Sequence, residues 1–328
     1  MFSTHLSEPL CLRAMGSFHV GGRRLRLAGR AAYERTMSEG GEPVSINPNG
    51  SYAVEQMYVQ YYLPERSNGR GPLVFWHGGG MTGAVWETTP DGREGWVNHF
   101  VRKGWDVYVC DAVERGRSGF APYPDIWPEG PVTQTVDDVY TRFRIGDGAG
   151  SYHDDPARRT AYRNTRFPVD HFDAFCLQMV PRWTHTNDAM VEAFKALLRR
   201  IGKAAIVCHS QSGPLAMRLA AESAGQVSAI VGIEPAGMPS PAPETYDTPT
   251  LVVLGGNMES DGRWQSLSAK IAAFARRFPA LQILRLEDLG IQGNSHVLMM
   301  DDNNDDIARR IDAWLRRTIV SVNAGDQA

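Results

Sequence analysis

The sequence predicts an α/β fold, in which helices cover both faces of a mostly parallel, twisted sheet. Short apolar runs recur along the chain, and amphipathic stretches with a helical period lie between them. Uninterrupted apolar runs are typical of strands buried on both faces, as in parallel sheets. The 328 residues, 42% hydrophobic and 22% charged, are enough to bury a large core.

The strands are predicted in chain order. Residues 16–29 predict a hairpin with Gly21-Gly22 at its turn, and the alternation over 52–64 predicts the next strand. Apolar runs then predict strands that begin the segments 71–80, 104–119, 203–213, 227–237, 248–262 and 281–290.

Helices are predicted between and after these strands. Apolar periodicity places them at 188–202, 213–225, 264–279 and 304–319. The last helix has acidic residues near its start and arginines near its end, which suits the helix dipole. No such periodicity runs through 120–187, which is rich in Pro, Gly, Tyr, Asp and Arg.

The segment 120–187 carries many aromatic residues, which disordered segments lack. Long irregular segments in a compact domain are usually functional, so we expect a cap over the carboxyl edge of the sheet. Residues 16–119 and 188–328 then form the core. The first fifteen residues are expected to be a disordered leader.

Composition excludes several classes of partner. The formal net charge is -3 and no Lys/Arg-rich block occurs, so no nucleic acid is expected. Neither a signal-peptide stretch nor a membrane-spanning apolar segment is present, which predicts a cytoplasmic protein. The four cysteines are far apart, so neither a zinc site nor a disulfide framework is expected; Cys110 and Cys208 end apolar runs and predict buried thiols.

The segment "VCHSQSG" (207–213) predicts a nucleophile elbow, a sharp turn from strand to helix that exposes a serine. The elbow requires small residues two positions before and two positions after the serine. Cys208 and Ser212 occupy these positions around Ser210. Ser212 is a rival nucleophile, but Pro214 would then occupy one of its small positions.

The segment "HGGG" (77–80) follows an apolar strand and predicts an oxyanion loop. The amides of Gly79 and Gln211 are the expected donors to the oxyanion, with Gly80 as the near alternative to Gly79. We expect His77 to orient the loop, and we place His77 and Gly80 among the substrate-binding residues.

His296 is the only histidine after Ser210, in a strand-to-helix loop, and is the candidate base. His209 is expected to point away from the serine. The acid is Glu234, a glutamate within an apolar run, or else Glu259 or Asp261 after the next strand. Burial of Glu234 is costly without a partner, which His296 or a cap arginine would supply.

With these motifs the sequence resembles the α/β-hydrolase superfamily from about residue 50 onward. More narrowly it is similar to a small group of bacterial carboxylesterases, through "HGGGMTGAVWETTPDGREGW", "FPVDHFDAFCLQMVPRW" and "GNSHVLMMDDNN". The resemblance implies a triad acid on the sixth strand, which favours Glu234, and a homodimer. A member of that group has adjacent cysteines at the positions of Gly79 and Gly80, so this chain cannot form their disulfide.

The predicted function is that of a serine hydrolase acting on a small-molecule carboxylic ester, with no metal or cofactor. Cap aromatics together with Trp86 and Trp183 are expected to line an apolar pocket. Two alternatives stay open. The same triad could cleave a lactone, an amide or a carbon–carbon bond, or the chain could be a non-catalytic ligand-binding homologue.

Overall fold

The fold is built around one eight-stranded sheet. The computed structural model describes residues 8–122, 124–260 and 262–320. Its strands are β1 (Leu12–Leu27), β2 (Tyr33–Thr36), β3 (Pro43–Ile46), β4 (Gly50–Pro64), β5 (Pro72–Trp76), β6 (Asp106–Asp111), β7 (Ala204–His209), β8 (Val227–Ile233), β9 (Thr250–Leu254) and β10 (Leu281–Arg285). Its helices are α1 (Trp96–Arg102), α2 (Val136–Arg142), α3 (Phe172–Cys176), α4 (Asn187–Ile201), α5 (Ser212–Glu222), α6 (Gly262–Arg277) and α7 (Asn304–Thr318).

The sheet has the strand order β1-β4-β6-β5-β7-β8-β9-β10. From β6 to β10 the neighbouring strands are parallel, whereas β1 and β4 form an antiparallel edge. Strands β2 and β3 make a separate antiparallel pair. The central strand β7 is buried at every position, as expected for a parallel strand covered on both sides. The predicted mostly parallel sheet is confirmed.

Helices pack on both faces of this sheet, also as predicted. Consecutive residues of a strand face opposite sides, so Phe75 belongs to the apolar cluster with α1 and α7, and Trp76 to the cluster with α4, α5 and α6. The Trp76 ring stacks on Phe194 of α4 at 3.6 Å between centroids. The two apolar layers hold the parallel strands in place, so that their carboxyl ends share one edge.

The amino-terminal region differs from its prediction. Residues 16–29 do not form a hairpin, because β1 continues through Gly21 and Gly22 and pairs with β4 along its whole length. Both glycines have positive φ, and Glu55 on β4 does as well, so the glycines allow a local distortion rather than a chain reversal. Of the expected leader, residues 1–7 lie outside the described residues and residues 12–15 begin β1. The short helix α1 was not predicted.

The segment 120–187 packs on the core through its own aromatic side chains. It contains α2 and α3 and two isolated bridges, Val132 with Arg182 and Gly146 with Ala161. Five of its aromatic residues are buried in one cluster: Tyr140, Phe143, Phe167, Phe172 and Phe175. Its backbone contacts the loops after β5 and β10, which places it beside the carboxyl edge of the sheet.

Two further features bear on the sequence analysis. Cys110 and Cys208 are buried, as predicted, and all four cysteines are free thiols. No helix within the described ranges is long and apolar enough to cross a membrane.

Candidate active site

Ser210 occupies the sharp turn between β7 and α5. Its φ is +52°, in the left-handed region that non-glycine residues rarely adopt, so the turn is strained. The Ser210 amide donates to the Ile233 carbonyl at 2.9 Å, which ties the turn to the end of β8. A Cβ at Gly213 would lie only 2.3 Å from Cβ of Pro235, so only glycine lets α5 begin this close to β8. This is the geometry expected of a nucleophile elbow.

The hydroxyl of the rival Ser212 is engaged in hydrogen bonds with the backbone. Its Oγ lies 2.8 Å from the His209 carbonyl and 3.0 Å from the Trp76 carbonyl, and it accepts from the His209 amide at 2.9 Å. It is buried, whereas Ser210 is partly exposed. The hydroxyl available to a ligand is therefore that of Ser210.

Three side chains far apart in the sequence meet at this edge. His296 Nε2 lies 2.9 Å from Ser210 Oγ, and His296 Nδ1 lies 2.8 Å from Glu234 Oε2. The His296 amide donates to the Phe143 carbonyl at 2.8 Å, so the cap fixes the loop that carries the imidazole. Burial lowers the pKa of His296, and Glu234 opposes that shift. A neutral imidazole at pH 7 can accept the serine proton.

Glu234 is fully buried at the end of β8, with φ of +44°. Its Oε1 accepts from Arg144 Nη2 at 2.5 Å and from the Gly255 amide at 2.6 Å. Burial alone would raise the pKa of Glu234, but Arg144 and the hydrogen bond with His296 outweigh it and hold the pKa at about 2. Glu234 is thus a stable carboxylate that pairs with both candidate partners named in the sequence analysis.

The alternative acid Glu259 does not share this position. Glu259 is exposed in a 3₁₀ turn after β9, and Asp261 lies outside the described residues.

The glycine loop after β5 lies directly against the serine turn. A Cβ at Gly78 would come within 2.5 Å of His209 Nδ1 and 3.2 Å of Ser210 Cβ, so a larger residue would push the loop away. No acceptor in the described part of the chain takes the amide hydrogens of Gly79 or Gln211. Two free backbone donors beside a serine can bind an anionic oxygen.

Comparison with known proteins decides the family. Residues 71–254 match the family model of the α/β-hydrolase fold, which is more than half of the chain. A solved bacterial esterase is 32% identical and superimposes with a TM-score of 0.80, covering 96% of this chain and 99% of that one. The chain belongs to the α/β-hydrolase family.

A fungal relative (Fungal sp., strain ATCC 74256) is named probable secreted lipase phiG. It is 27% identical over 97% of this hydrolase and 98% of its own length. Its name describes a secreted protein, whereas the sequence of this hydrolase predicts a cytoplasmic one; that location stays a prediction.

His77 and His209 both lie against the glycine loop of this α/β hydrolase, and both rings hydrogen-bond to backbone atoms. His77 Nε2 accepts from the Ala112 amide at 2.9 Å, and Nδ1 donates to the Gly78 carbonyl at 2.8 Å. Burial lowers the pKa of His77 to about 4, so its ring is neutral. His209 Nε2 donates to the His296 carbonyl at 2.9 Å. Both ring nitrogens of His77 are occupied by backbone groups, one of them in the glycine loop, so neither nitrogen is free for a substrate.

The tryptophans of the predicted pocket lie elsewhere. Trp86 is fully enclosed in the core, with its ring 5.0 Å from Phe75, so the prediction that it lines an open pocket is wrong. Trp183 is 3% exposed and packs beside Trp127. Gly80, another predicted substrate contact, is covered by cap residues: a Cβ there would meet Gln134 at 2.5 Å and Met179 at 3.1 Å.

The sequence analysis expected a cap arginine and cap aromatics at the site but did not identify which of them surround His296. The rings of Phe143 and Trp264 lie 5.0 Å and 4.8 Å from the imidazole. Arg144 stacks on Trp264, with its Cζ 4.4 Å from the ring centroid, and its Nε donates to the Gly256 carbonyl. The one available signal for Arg144 was an arginine placed between apolar residues in "RFRIG".

A cavity of about 520 Å³ opens beside this site. Two of its wall residues contact the site: Ala236, whose amide donates to the Ser210 carbonyl, and Trp264, whose ring lies beside the His296 imidazole. Its wall combines apolar residues with basic ones: Arg142, Ala236, Arg263, Trp264, Leu267 and Lys270. The volume suits a small organic ligand.

Proposed function

We propose that this hydrolase cleaves carboxylic esters through an acyl-enzyme formed on Ser210. The observation that carries the proposal is the continuous chain of contacts from Ser210 Oγ to His296 to Glu234, at 2.9 Å and 2.8 Å. These distances are those that general acid–base catalysis by a serine, a histidine and a carboxylate requires.

In the first half-reaction, His296 Nε2 takes the proton of Ser210 as Oγ attacks the ester carbonyl. The resulting oxyanion binds the amides of Gly79 and Gln211, whose hydrogens have no acceptor in the described residues. The imidazolium then gives its proton to the alcohol oxygen, the carbon–oxygen bond breaks and the alcohol leaves. Oxyanion donors of this kind are worth about 3–4 kcal/mol each in well-studied hydrolases.

In the second half-reaction, water attacks the acyl-enzyme while His296 takes one of its protons. The tetrahedral intermediate collapses, the proton passes to Ser210 Oγ, and the carboxylic acid leaves. Glu234 keeps the proton of His296 on Nδ1 and stabilises the imidazolium, because its pKa of about 2 keeps it charged at every working pH.

The scissile bond is the least constrained part of the proposal. The same arrangement can attack a lactone, an amide or an activated carbon–carbon bond. The names esterase and lipase of the two relatives favour an ester. A non-catalytic ligand-binding homologue would not need the strained serine turn and the buried carboxylate together, so we favour an enzyme.

The test is labelling with a fluorophosphonate together with hydrolysis of 4-nitrophenyl esters of several acyl lengths. We expect wild type to label and turn over, and Ser210→Ala to lose both. Ser212→Ala is the matched control, since its hydroxyl serves the backbone; we expect it to keep labelling. Labelling that survives Ser210→Ala and disappears in Ser212→Ala would move the nucleophile to Ser212. A wild-type protein that neither labels nor cleaves any ester would contradict the proposed function.

A further inference from the structure

An arginine of the cap lies over the glycine loop. Its backbone is fixed by the bridge of Arg182 with Val132, at 2.8 Å and 2.9 Å. A Cβ at Gly79 would lie 2.4 Å from Arg182 Nη1 and 3.2 Å from its Cδ. The Arg182 guanidinium is therefore next to the backbone that supplies a proposed oxyanion donor.

This guanidinium has no acidic partner in the described part of the chain. Its Nε is buried without an acceptor, and no carboxylate affects its pKa, which burial and the charge of Arg142 lower. A partly buried charge without a counter-charge is costly. An arginine kept in that condition beside a reactive centre is suited to an anionic ligand that supplies the missing charge.

Two further guanidiniums, those of Arg115 and Arg142, lie near Arg182, and the carboxylate of Glu114 lies beside Arg115. Arg115 is 1% exposed and donates to the carbonyls of Glu114 and Trp183. Burial lowers the pKa of Arg115 to about 10; the charge of Arg182 adds to this shift and that of Glu114 opposes it, so the two guanidiniums are close enough to repel. Arg142, which also pairs with Asp138, and Lys270 stand at the wall of the cavity that contains Trp264. Such a surplus attracts anions to the site.

We propose that the ester carries a carboxylate in its acyl part and that Arg182 binds this carboxylate. The inference rests on the function proposed above. Arg182 lies over Gly79, where the scissile carbonyl oxygen would bind, so the anion belongs to the acyl half that stays on Ser210. A planar guanidinium pairs with a carboxylate through two parallel hydrogen bonds. The substrates are then half-esters of short dicarboxylic acids.

The glycines make this arrangement possible. A side chain at position 79 would displace Nη1 of Arg182, and one at position 80 would displace Gln134. Gly79 thus leaves room for Arg182 as well as for the approach of the backbone to the carbonyl oxygen.

The kinetic test compares two series of esters of equal chain length. Mono-4-nitrophenyl esters of succinic, glutaric and adipic acid are set against 4-nitrophenyl butanoate, pentanoate and hexanoate, with spontaneous hydrolysis subtracted. We expect wild type to prefer at least one half-ester over its neutral match in kcat/KM. Arg182→Gln should reduce that preference by about 10- to 100-fold, the value of one charge-assisted pair, and Arg182→Lys by less. The control Arg158→Gln removes the same charge from an exposed cap position and should leave the preference unchanged.

A binding measurement separates this inference from the proposed function. Titration calorimetry with glutarate and adipate on wild type, Arg182→Gln and Arg158→Gln needs no turnover. We expect Arg182→Gln to weaken binding at least tenfold and Arg158→Gln to leave it unchanged. Ester hydrolysis with no preference for half-esters overturns the inference and leaves the esterase in place. Dicarboxylates that bind wild type and Arg182→Gln equally, or bind neither, overturn it whether or not esters are cleaved.

Discussion

Two regions on either side of His296 each bury a carboxylate, and they hold it in opposite ways. At the tip of β8, Glu234 faces the Arg144 guanidinium and the His296 imidazole. In the loop before α7, Asp301 faces only neutral donors, the amide and hydroxyl of Ser295 and the side-chain amide of Asn294. Neither carboxyl group is exposed to solvent.

The difference appears in the charge that each group carries. Burial raises the pKa of Asp301 to about 7, because neutral hydrogen bonds offset the loss of water only in part. For Glu234 the same burial is outweighed by Arg144, and the pKa is about 2. Burial alone therefore does not decide whether a carboxyl group is charged; the charge of its partner does. Only Glu234 is suited to stabilise an imidazolium.

The largest effect that tests this comparison is the loss of charge at Glu234. Glu234→Gln keeps the shape but offers an amide to His296 Nδ1, which favours the wrong tautomer of the imidazole. We expect kcat for 4-nitrophenyl esters to fall on the order of 10⁴-fold, as when the acid of a serine protease triad is amidated. Asp301→Asn should lower kcat less than tenfold, because Asp301 touches no proposed reacting group.

The control for this prediction is Glu259→Gln, since Glu259 was an alternative acid and its side chain is exposed. We expect the kcat of this variant to match that of wild type. If Glu234→Gln stays active while Glu259→Gln loses its activity, the acid lies after β9 and the assignment of Glu234 is wrong.

The next effect concerns the arginine that keeps Glu234 charged. Arg144→Met leaves a buried carboxylate without its cation, so the pKa of Glu234 should rise by about 1–3 pH units. We expect a lower kcat with little change in KM, and an acidic limb of the kcat profile that moves to higher pH. Breaking a buried ion pair costs about 3–5 kcal/mol of stability, so Arg144→Met is to be checked for folding.

Arg144→Lys is the second variant for this experiment. It keeps the positive charge but loses one of the contacts to Glu234 and Gly256, so we expect a smaller shift of the acidic limb and partial recovery of kcat. A folded Arg144→Met with the wild-type pH profile would show that Arg144 serves only the packing of the cap.

The sequence predicts a residue of these two regions only where the neighbouring residues carry a recognisable pattern. Ser210 stands between small residues after an apolar run, Glu234 interrupts an apolar run, and His296 is the only histidine that follows Ser210. These signals are local. Arg144 lies 90 residues from Glu234 in a segment without periodicity, so no local pattern connects the two.

The direction in which a side chain points also could not be predicted from the sequence. Trp86 was expected to line the substrate pocket. The 3₁₀ turn Gly83–Trp86 directs its ring into the core instead, against Phe75 and Trp96. Nothing in the sequence marks Asp301 as a buried carboxyl group, because the donors that surround it are brought together only when the loop folds.

The smallest effect separates the two carboxyl groups by the pH dependence of stability. The ordinary pKa of an aspartate is near 3.8 and that of folded Asp301 is about 7, so between these values folding takes up a proton. The contribution of Asp301 to the free energy of unfolding then decreases as the pH rises, by at most about 1.4 kcal/mol per pH unit. Glu234 has the opposite sign: its contribution is complete above its ordinary pKa and is lost only as the pH falls toward about 2.

Asp301→Asn should remove the first of these contributions. An asparagine is the neutral counterpart of the protonated acid: its amide nitrogen can donate to Ser295 Oγ while its oxygen keeps the two remaining donors. Urea unfolding at about pH 5, 6 and 7, within the window between the two pKa values, should show a smaller decline of stability with pH than in wild type. Asp288→Asn, at an exposed aspartate outside this loop, should keep the wild-type slope. Equal slopes in wild type and Asp301→Asn would mean that Asp301 stays ionised in the folded protein, and the contrast with Glu234 would no longer hold.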